Sequence, residues 1–267
     1  MSGELMYVYA VCRPYEAALQ AELTGVGQAP VKALRHGDLV AVLSAVPQRD
    51  FAEQPLRAHL EDLDWLAATA RAHQTVVAAL ATVTSPVPLR LATVFHDESG
   101  VRTLIEAEAD RFRRTLDRLD GRVEWGVKVQ LQSGSSQPEA PARPAPASGR
   151  DYLRQRLAGR RSQDDRDERA ERFAARLHQE LSRHAEAARL HPPQNSSLSR
   201  EPGRNVLNAA YLVPRKDSEA FVELVDRTKG EESDLGVELT GPWAAYSFTE
   251  FAEDAEDAED EAEEERP

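Results

Sequence analysis

Residues 236–248 of this 267-residue chain read Gly-Val-Glu-Leu-Thr-Gly-Pro-Trp-Ala-Ala-Tyr-Ser-Phe. Val237 and Leu239 alternate with polar residues, which is the period of a half-buried strand. Gly241-Pro242 predicts a turn after this strand, because glycine tolerates positive φ and proline has no N–H for a ladder. The aromatic residues that follow are Trp243, Tyr246 and Phe248. The stretch is therefore predicted to be the last folded element, with aromatic side chains that close the core or anchor a partner.

The acidity of the chain is concentrated behind this stretch. Residues 249–267 hold eleven acids and one arginine, a net charge of −10. The whole chain carries −13, so only −3 is left for the remainder. We expect self-repulsion to keep this acidic tail disordered. The nearly balanced remainder lacks the clustered basic surface that a nucleic-acid-binding protein needs.

Several classes of site are disfavoured by what the sequence lacks. Cys12 is the single cysteine, so no disulfide or thiolate metal site can form within the chain. There is no Gly-x-Ser-x-Gly elbow, Walker loop or His-Glu-x-x-His helix, and no catalytic residue, metal or cofactor is predicted. Gly25-Val-Gly27 begins like a dinucleotide fingerprint, but it follows a predicted helix and lacks the third glycine, which favours a turn. Without a signal peptide or a membrane-spanning run, we expect a cytoplasmic protein.

The first 120 residues predict a small α+β domain. A leading strand, a short helix, a hairpin, a covering helix, another strand and a second helix follow one another. Their predicted ranges are Leu5–Val11, Tyr15–Leu23, Val31–Arg35 with Leu39–Val46, about 53–81, Val87–Phe95 and 97–119. The covering helix is expected to present one apolar face. Its residues are Leu56, Leu60, Leu63, Leu66 and Ala70.

Arg90 is a charge on the otherwise mostly apolar strand Val87–Phe95. A buried arginine must be paired and hydrogen-bonded, because an unpaired buried charge is costly. We therefore expect an internal ion pair. Glu124 is the favoured partner, since its strand also carries a polar row. A contact between Arg90 and a ligand or partner is the alternative.

Residues 121–248 predict a ferredoxin-like domain, so the fold class is α+β, with two domains and a disordered acidic tail. The order from Arg122 to Thr240 is that of a βαββαβ sandwich with one reduced edge strand, expected near Ser196–Gly203. Ser133–Gly149 is a flexible linker by composition. Asp151–Leu190 is predicted to be one long charged helix. The other predicted elements are strands at 122–131, 205–213 and 236–240, and a helix from Asp217 or Ser218 to about Gly230.

Five short motifs spread over most of residues 5–248 carry a family resemblance. They are Tyr7-Val-Tyr-Ala10, Pro88-Leu-Arg-Leu-Ala-Thr-Val-Phe95, Glu124-Trp-Gly-Val-Lys-Val129, Asn208-Ala-Ala-Tyr-Leu-Val213, and Glu238-Leu-Thr-Gly-Pro-Trp243 with Tyr246-Ser-Phe248. In this order they resemble the gas vesicle protein family GvpF/GvpL. Two departures stand out: Leu91-Ala92 lies where the family often has Phe-Gly, and Ala244-Ala245 lies where Pro-Pro is frequent.

The resemblance implies a non-enzymatic role in building gas vesicles, hollow protein shells whose wall consists of a small, very hydrophobic subunit. Family members look like accessory or minor structural proteins that bind this shell subunit and other gas vesicle accessory proteins. The implied fold has two α+β domains, the second ferredoxin-like, and a C-terminal extension. A cytoplasmic protein associated with gas vesicles is expected.

The residues singled out for partner binding are Trp243, Tyr246, Phe248 and Arg90. Neither nucleic acid nor membrane is an expected partner. The rival hypotheses are a ferredoxin-like small-molecule-binding or regulatory module, and an enzyme that uses Arg90 and a histidine.

Overall fold

The computed structural model describes residues 3–17, 23–132, 149–192 and 203–249. The chain divides into two compact units. The first unit contains the residues up to Glu124 together with the chain from Pro242 onwards, and the second unit is Trp125–Gly241. The fold is a mixed α and β fold with two antiparallel sheets. Most of the predicted linker Ser133–Gly149 lies outside the described residues, apart from Gly149, which begins a helix. The acidic tail 249–267 also lies outside them, apart from Thr249.

The first unit is built around its leading strand. Its strands are β1 (Glu4–Cys12), β2 (Lys32–His36), β3 (Leu39–Pro47), β4 (Val87–Pro88) and β5 (Val94–Phe95). The strand order is β2-β3-β1-β4, and β5 also pairs with β1. All residues from Tyr7 to Cys12 are fully buried, as expected of a central strand that is apolar on both faces. The predicted hairpin is confirmed, with Gly37 at a φ of 60° in the turn between β2 and β3.

The helices of the first unit are more fragmented than predicted. They are α1 (Gln48–Phe51), α2 (Glu53–Glu61), α3 (Leu63–Ala81), α4 (Glu98–Ala107) and α5 (Ala109–Leu119). The single helix predicted for 53–81 is wrong, because Asp62 interrupts it. Its carboxylate accepts the N–H groups of Asp64 and Trp65 at 3.0 and 3.2 Å and starts α3 afresh.

This interruption also changes which side chains are buried. The buried residues of α3 are Thr69, His73, Val76, Val77 and Leu80. Leu60 and Leu63, assigned to the apolar face by their spacing, are 39% and 71% exposed. The assignment of these two leucines to a buried face is therefore wrong, since a helical phase does not continue across a new N-cap.

The turns around the other helices follow the sequence more closely. Asp97 caps α4 and accepts the N–H of Gly100 at 3.0 Å. Gly121 follows α5 with a φ of 69°, a left-handed conformation that glycine adopts without a steric penalty. The turn predicted at Gly25–Gly27 is confirmed as a short 3₁₀ turn. Of the predicted helix Tyr15–Leu23, residues 18–22 lie outside the described part of the chain and residues 15–17 are not helical.

The continuous strand predicted over Val87–Phe95 is wrong. The chain forms the short strands β4 and β5, with a turn between them. Ala92 lies in this turn with a φ of 64°, a left-handed conformation that glycine adopts more easily than alanine. Its N–H donates to the hydroxyl of Tyr7 at 3.0 Å, which ties the turn to β1. This backbone gives a physical reason for a glycine at this position.

The second unit contains the remaining elements and the second sheet. Its elements are β6 (Arg122–Gln132), α6 (Gly149–Arg183), β7 (Ala187–Leu190), β8 (Gly203–Pro214), α7 (Ser218–Thr228) and β9 (Leu235–Trp243), of which β6 begins and β9 ends in the first unit. The strand order is β7-β8-β6-β9. Although α6 is rich in charged residues, Phe173, Leu177 and Leu181 in its C-terminal half are all buried.

Two predicted boundaries of the second unit are wrong. The helix predicted to reach Leu190 ends at Arg183, and the last residues of that predicted helix form the edge strand β7. Residues 196–202, where an edge strand was expected, lie outside the described residues. β9 also continues through Gly241-Pro242 to Trp243 instead of turning. An edge strand tolerates proline, because one side of its backbone has no ladder to join.

Replacing Ala92 by glycine tests the strain in the turn between β4 and β5. We expect Ala92→Gly to raise the free energy of unfolding by up to about 1 kcal/mol, since relief of the left-handed strain exceeds the added entropy of the unfolded chain. Chemical denaturation measures this directly. Ala33→Gly, at an exposed position in β2, is the matched control and should destabilise by roughly 0.5–1 kcal/mol. Destabilisation by both variants would contradict strain at Ala92.

Candidate functional site

The C-terminal segment, residues 242–249, is part of the first unit and not of the second. Ala244, Ala245 and Phe248 are buried, at 6%, 4% and 3% exposure. Tyr246–Phe248 forms a 3₁₀ turn in which the N–H of Phe248 donates to the carbonyl of Ala245 at 3.3 Å. Ala244 and Tyr246 pack against the core around β1 and α3. The segment is thus a packed part of the first unit's core.

A buried carboxylate holds this segment in place. Glu124 is only 9% exposed. The backbone N–H and the hydroxyl of Ser247 each donate to this carboxylate, both at 2.8 Å. Hydrogen bonds to an ionised acceptor are stronger than those between neutral groups. The Glu124–Ser247 pair therefore fixes the backbone of the segment between the half-buried ring of Tyr246 and the buried ring of Phe248.

Tyr246 extends a cluster of aromatic rings in the first unit. Its ring centroid lies 6.3 Å from that of His73, which in turn lies 5.7 Å from Tyr7 and 5.5 Å from Tyr9. Burial raises the pKa of Tyr246, so its hydroxyl stays neutral at physiological pH. No described residue hydrogen-bonds to that hydroxyl. Tyr246 therefore contributes packing to the cluster, which is the core-closing role considered for these aromatic residues.

His73 lies in the middle of this cluster and is almost fully buried, with 3% exposure. The hydroxyl of Tyr7 accepts the N–H of Ala92 at 3.0 Å and is also hydrogen-bonded to Nδ1 of His73, 3.0 Å away. Burial lowers the pKa of His73 to about 4, so the imidazole is neutral at pH 7. This residue is therefore a neutral histidine of the core.

The three aromatic candidates differ in exposure. Phe248 is buried and Tyr246 half-buried, whereas Trp243 is 41% exposed. Trp243 immediately precedes the buried pair Ala244-Ala245, so its backbone is anchored while its side chain reaches the surface. Among the three, Trp243 is the side chain that a partner can contact.

Arg90 is exposed, so its predicted burial is wrong. The reason is the interruption of the strand: Arg90 lies at the turn between β4 and β5, where its side chain reaches water. The acceptor role of Glu124 toward Ser247 was also missed, because 123 residues separate the two in sequence. Arg90 remains a candidate contact residue on the surface of the first unit.

Leu60 and Leu63 form an exposed apolar pair that the sequence analysis missed as a surface feature. They flank Asp62, the residue that ends one helix and caps the next. An aspartate followed by an acidic first turn is a recognisable helix-start signal, and it would have indicated the break. The pair gives the first unit a second apolar contact area.

Residues that could support chemistry are scarce. Cys12 is buried, its thiol donates to the carbonyl of Val40 at 3.7 Å, and burial raises its pKa to about 12. A thiol in this state is a poor nucleophile. Within the described ranges, no three His, Cys, Asp or Glu side chains come together as a potential metal site. In the same part of the chain, no helix is both long enough and apolar enough to cross a bilayer.

Comparison with known proteins identifies the family. Residues 5–250 match the family model described as gas vesicle synthesis protein GvpL/GvpF. The chain belongs to this family. It is 60% identical over 250 residues to gas vesicle protein L of Streptomyces sp. (strain CB03234), which covers 92% of this chain and 93% of the relative. GvpL/GvpF is not a known enzyme family.

Two solved structures share the fold. The crystal structure of the gas vesicle protein GvpF from Anabaena sp. PCC7120 has a TM-score of 0.67 at 18% identity and covers 93% of this chain and 97% of the other. The GvpF structure from Microcystis aeruginosa has a TM-score of 0.62 at 18% identity, with coverages of 92% and 99%. At such identities the likeness concerns the fold alone.

Removing the carboxylate of Glu124 tests how the C-terminal segment is held. We expect Glu124→Ala to lower the free energy of unfolding by about 2–3 kcal/mol, because it removes the charged acceptor of two hydrogen bonds from the partly buried Ser247. Urea denaturation provides the measurement. Glu16→Ala, at an exposed acid of the first unit, should stay within about 0.5 kcal/mol of the wild type. Equal effects of the two variants would rule out the proposed clamp.

The depressed pKa of His73 predicts a pH dependence of stability. The folded pKa of about 4 lies below the unfolded value of about 6.5, so the unfolded state binds the proton first as the pH falls. The contribution of His73 to the free energy of unfolding is constant above pH 6.5. As the pH falls from 6.5 to 4, this contribution declines by about 3 kcal/mol. His73→Asn, which keeps a hydrogen-bonding group for Tyr7, should remove this part of the decline. The comparison of the two pH profiles cancels the contribution of other groups, and parallel profiles would contradict the prediction.

Proposed function

We propose that this protein is a non-enzymatic accessory or minor structural protein of gas vesicle assembly, which binds the hydrophobic shell subunit and other gas vesicle proteins in the cytoplasm. Membership of the GvpL/GvpF family supports a role in gas vesicle synthesis. The observation that carries the binding role is the exposed indole of Trp243 on a backbone anchored by buried neighbours.

An anchored tryptophan suits a binding role on physical grounds. Interface energy is concentrated in a few side chains, with Trp, Tyr and Arg enriched among them. Ala244 and Ala245 are buried and Glu124 holds Ser247, so little backbone freedom is left to lose when Trp243 is covered. Arg90, exposed at the turn between β4 and β5, is proposed as a second contact residue.

The partner proposed for this surface is the shell subunit. A very hydrophobic subunit tends to aggregate before it polymerises, and a partner that covers its apolar surface keeps it available for assembly. The exposed side chain of Trp243 offers an apolar contact of this kind in the first unit.

We also propose that the two compact units are the two α+β domains of the chain, with limits near residue 120 and a second domain of ferredoxin-like type. The strand and helix order of the second unit, together with the sheet order β7-β8-β6-β9, supports this interpretation. The acidic tail is proposed to be disordered on the basis of its charge alone.

Truncation of Trp243 tests the binding role. We expect Trp243→Ala to weaken shell-subunit binding by at least ~2 kcal/mol, about 30-fold in Kd, with the melting temperature within about 2 °C of the wild type. Co-expression with the shell subunit, followed by pull-down and quantification of the soluble complex, measures the loss.

Two further variants separate binding from folding. Phe248→Ala should cost about 3–5 kcal/mol of stability, because it empties a buried position. Leu63→Ala removes another exposed apolar side chain and should retain most of the binding. Binding lost with Leu63→Ala but kept with Trp243→Ala would move the contact surface to the α2–α3 region. A wild-type protein that does not retain the shell subunit would refute the proposed function.

A further inference from the structure

A groove of about 360 Å³ opens in the second unit between the C-terminal half of α6, the end of β7 and the start of β8. Residues that line it include Ala174, Ala175, Leu190, Asn205, Leu207 and Asn208. Its volume lies within the range of about 300–1,000 Å³ typical of binding sites. The groove lies outside the C-terminal segment and involves none of the residues that the sequence singled out for partner binding.

The lining is mainly apolar. The two alanines on α6 leave room beside Leu190, whose side chain is 58% exposed although it lies in a strand. At the rim, the carboxylate of Glu171 is neutralised by the guanidinium of Arg204, 2.7 Å away. Besides Glu171, the polar lining residues are His178, His191, Asn205 and Asn208. Most of the lining surface is nevertheless apolar, so the groove favours an occupant with an apolar side chain and a few hydrogen-bonding groups.

One polar atom of the groove lacks a partner. The side-chain oxygen Oδ1 of Asn205 is buried, and no donor lies within hydrogen-bonding distance of it in the described part of the chain. A buried acceptor without a donor costs free energy. An occupant that brings an N–H or O–H group to this oxygen would remove the cost.

The groove adjoins an edge of the second sheet. β7 is the end strand of the order β7-β8-β6-β9, and no described strand pairs with it on the side away from β8. The N–H of His191 donates to the carbonyl of Asn208 at 2.8 Å, so by antiparallel alternation the backbone groups of Ala188 and Leu190 point outward. A strand laid along this edge gains backbone hydrogen bonds, and its side chains alternate toward the groove.

We propose that β7 and the adjoining groove bind an extended, apolar segment of the gas vesicle shell subunit. The segment pairs with the outer edge of β7 and inserts an apolar side chain beside Leu190 and the α6 alanines. One of its N–H groups donates to Oδ1 of Asn205. This proposal rests on the proposed function and adds a contact surface in the second unit, separate from Trp243.

Filling the groove tests the proposal. Ala175 is exposed on α6, so Ala175→Trp adds bulk to the groove without disturbing the buried side chains of this helix. We expect at least a ten-fold loss of shell-subunit binding by the full-length protein, at an unchanged melting temperature. Arg169→Trp is the matched control, because Arg169 is exposed on the same helix and does not line the groove. It should bind like the wild type.

A second variant tests the polar contact and covers the case in which the bulky tryptophan impairs folding. Asn205→Leu should leave the free energy of unfolding unchanged, because Oδ1 of Asn205 accepts no hydrogen bond that the substitution would break. It should weaken binding about five-fold, the effect of one neutral hydrogen bond.

The outcomes distinguish the two proposals. If the wild type fails to bind the shell subunit, the proposed function fails. If the wild type and Trp243→Ala behave as expected but both groove variants bind like the wild type, the groove proposal is overturned and the proposed function stands. A change of oligomeric state in Ala175→Trp with unaltered shell-subunit binding would identify a second copy of this chain as the occupant, and would likewise overturn the proposal.

Discussion

The buried carboxylate of Glu124 is the interaction on which the candidate site depends. Glu124 is the residue at which the chain first leaves the first unit. Its carboxylate accepts two hydrogen bonds from Ser247, which is close to the end of the described chain. Its two bonds hold the C-terminal segment against the first unit after the chain has passed through the second. Because a charged acceptor needs its donors when buried, the segment has one favoured position.

Within this short segment, two aromatic side chains pack into the first unit and a third is exposed to a partner. Phe248 and Tyr246 pack into the first unit, the latter beside the neutral imidazole of His73. Trp243 precedes them and remains accessible because β9 continues through Gly241-Pro242 as an edge strand. A rigid backbone with an exposed indole loses little entropy on binding, which is the property of an efficient anchor.

The sequence predicted those parts of the fold that local patterns control. Apolar runs and residue alternation predicted β1, β3, β6 and β8, and the hairpin of β2 and β3 was predicted as well. It failed where a local feature overrode a longer pattern. Asp62 restarted a helix and so exposed Leu63, and the turn around Ala92 divided a strand and exposed Arg90. Apolar spacing does not reveal such interruptions, because the residues on either side keep the same composition.

The sequence by itself determined the family, the central apolar strands, the aromatic composition of the segment after β9 and the concentration of acid in the tail. These properties are local, or are carried by motifs of a few residues. Only the tertiary structure decided which aromatic side chain is exposed, which acceptor holds Ser247 and where α6, β7 and β8 leave a groove. These features join residues far apart in the chain, and their positions follow from packing and from the need to satisfy buried polar groups, which short-range patterns do not encode.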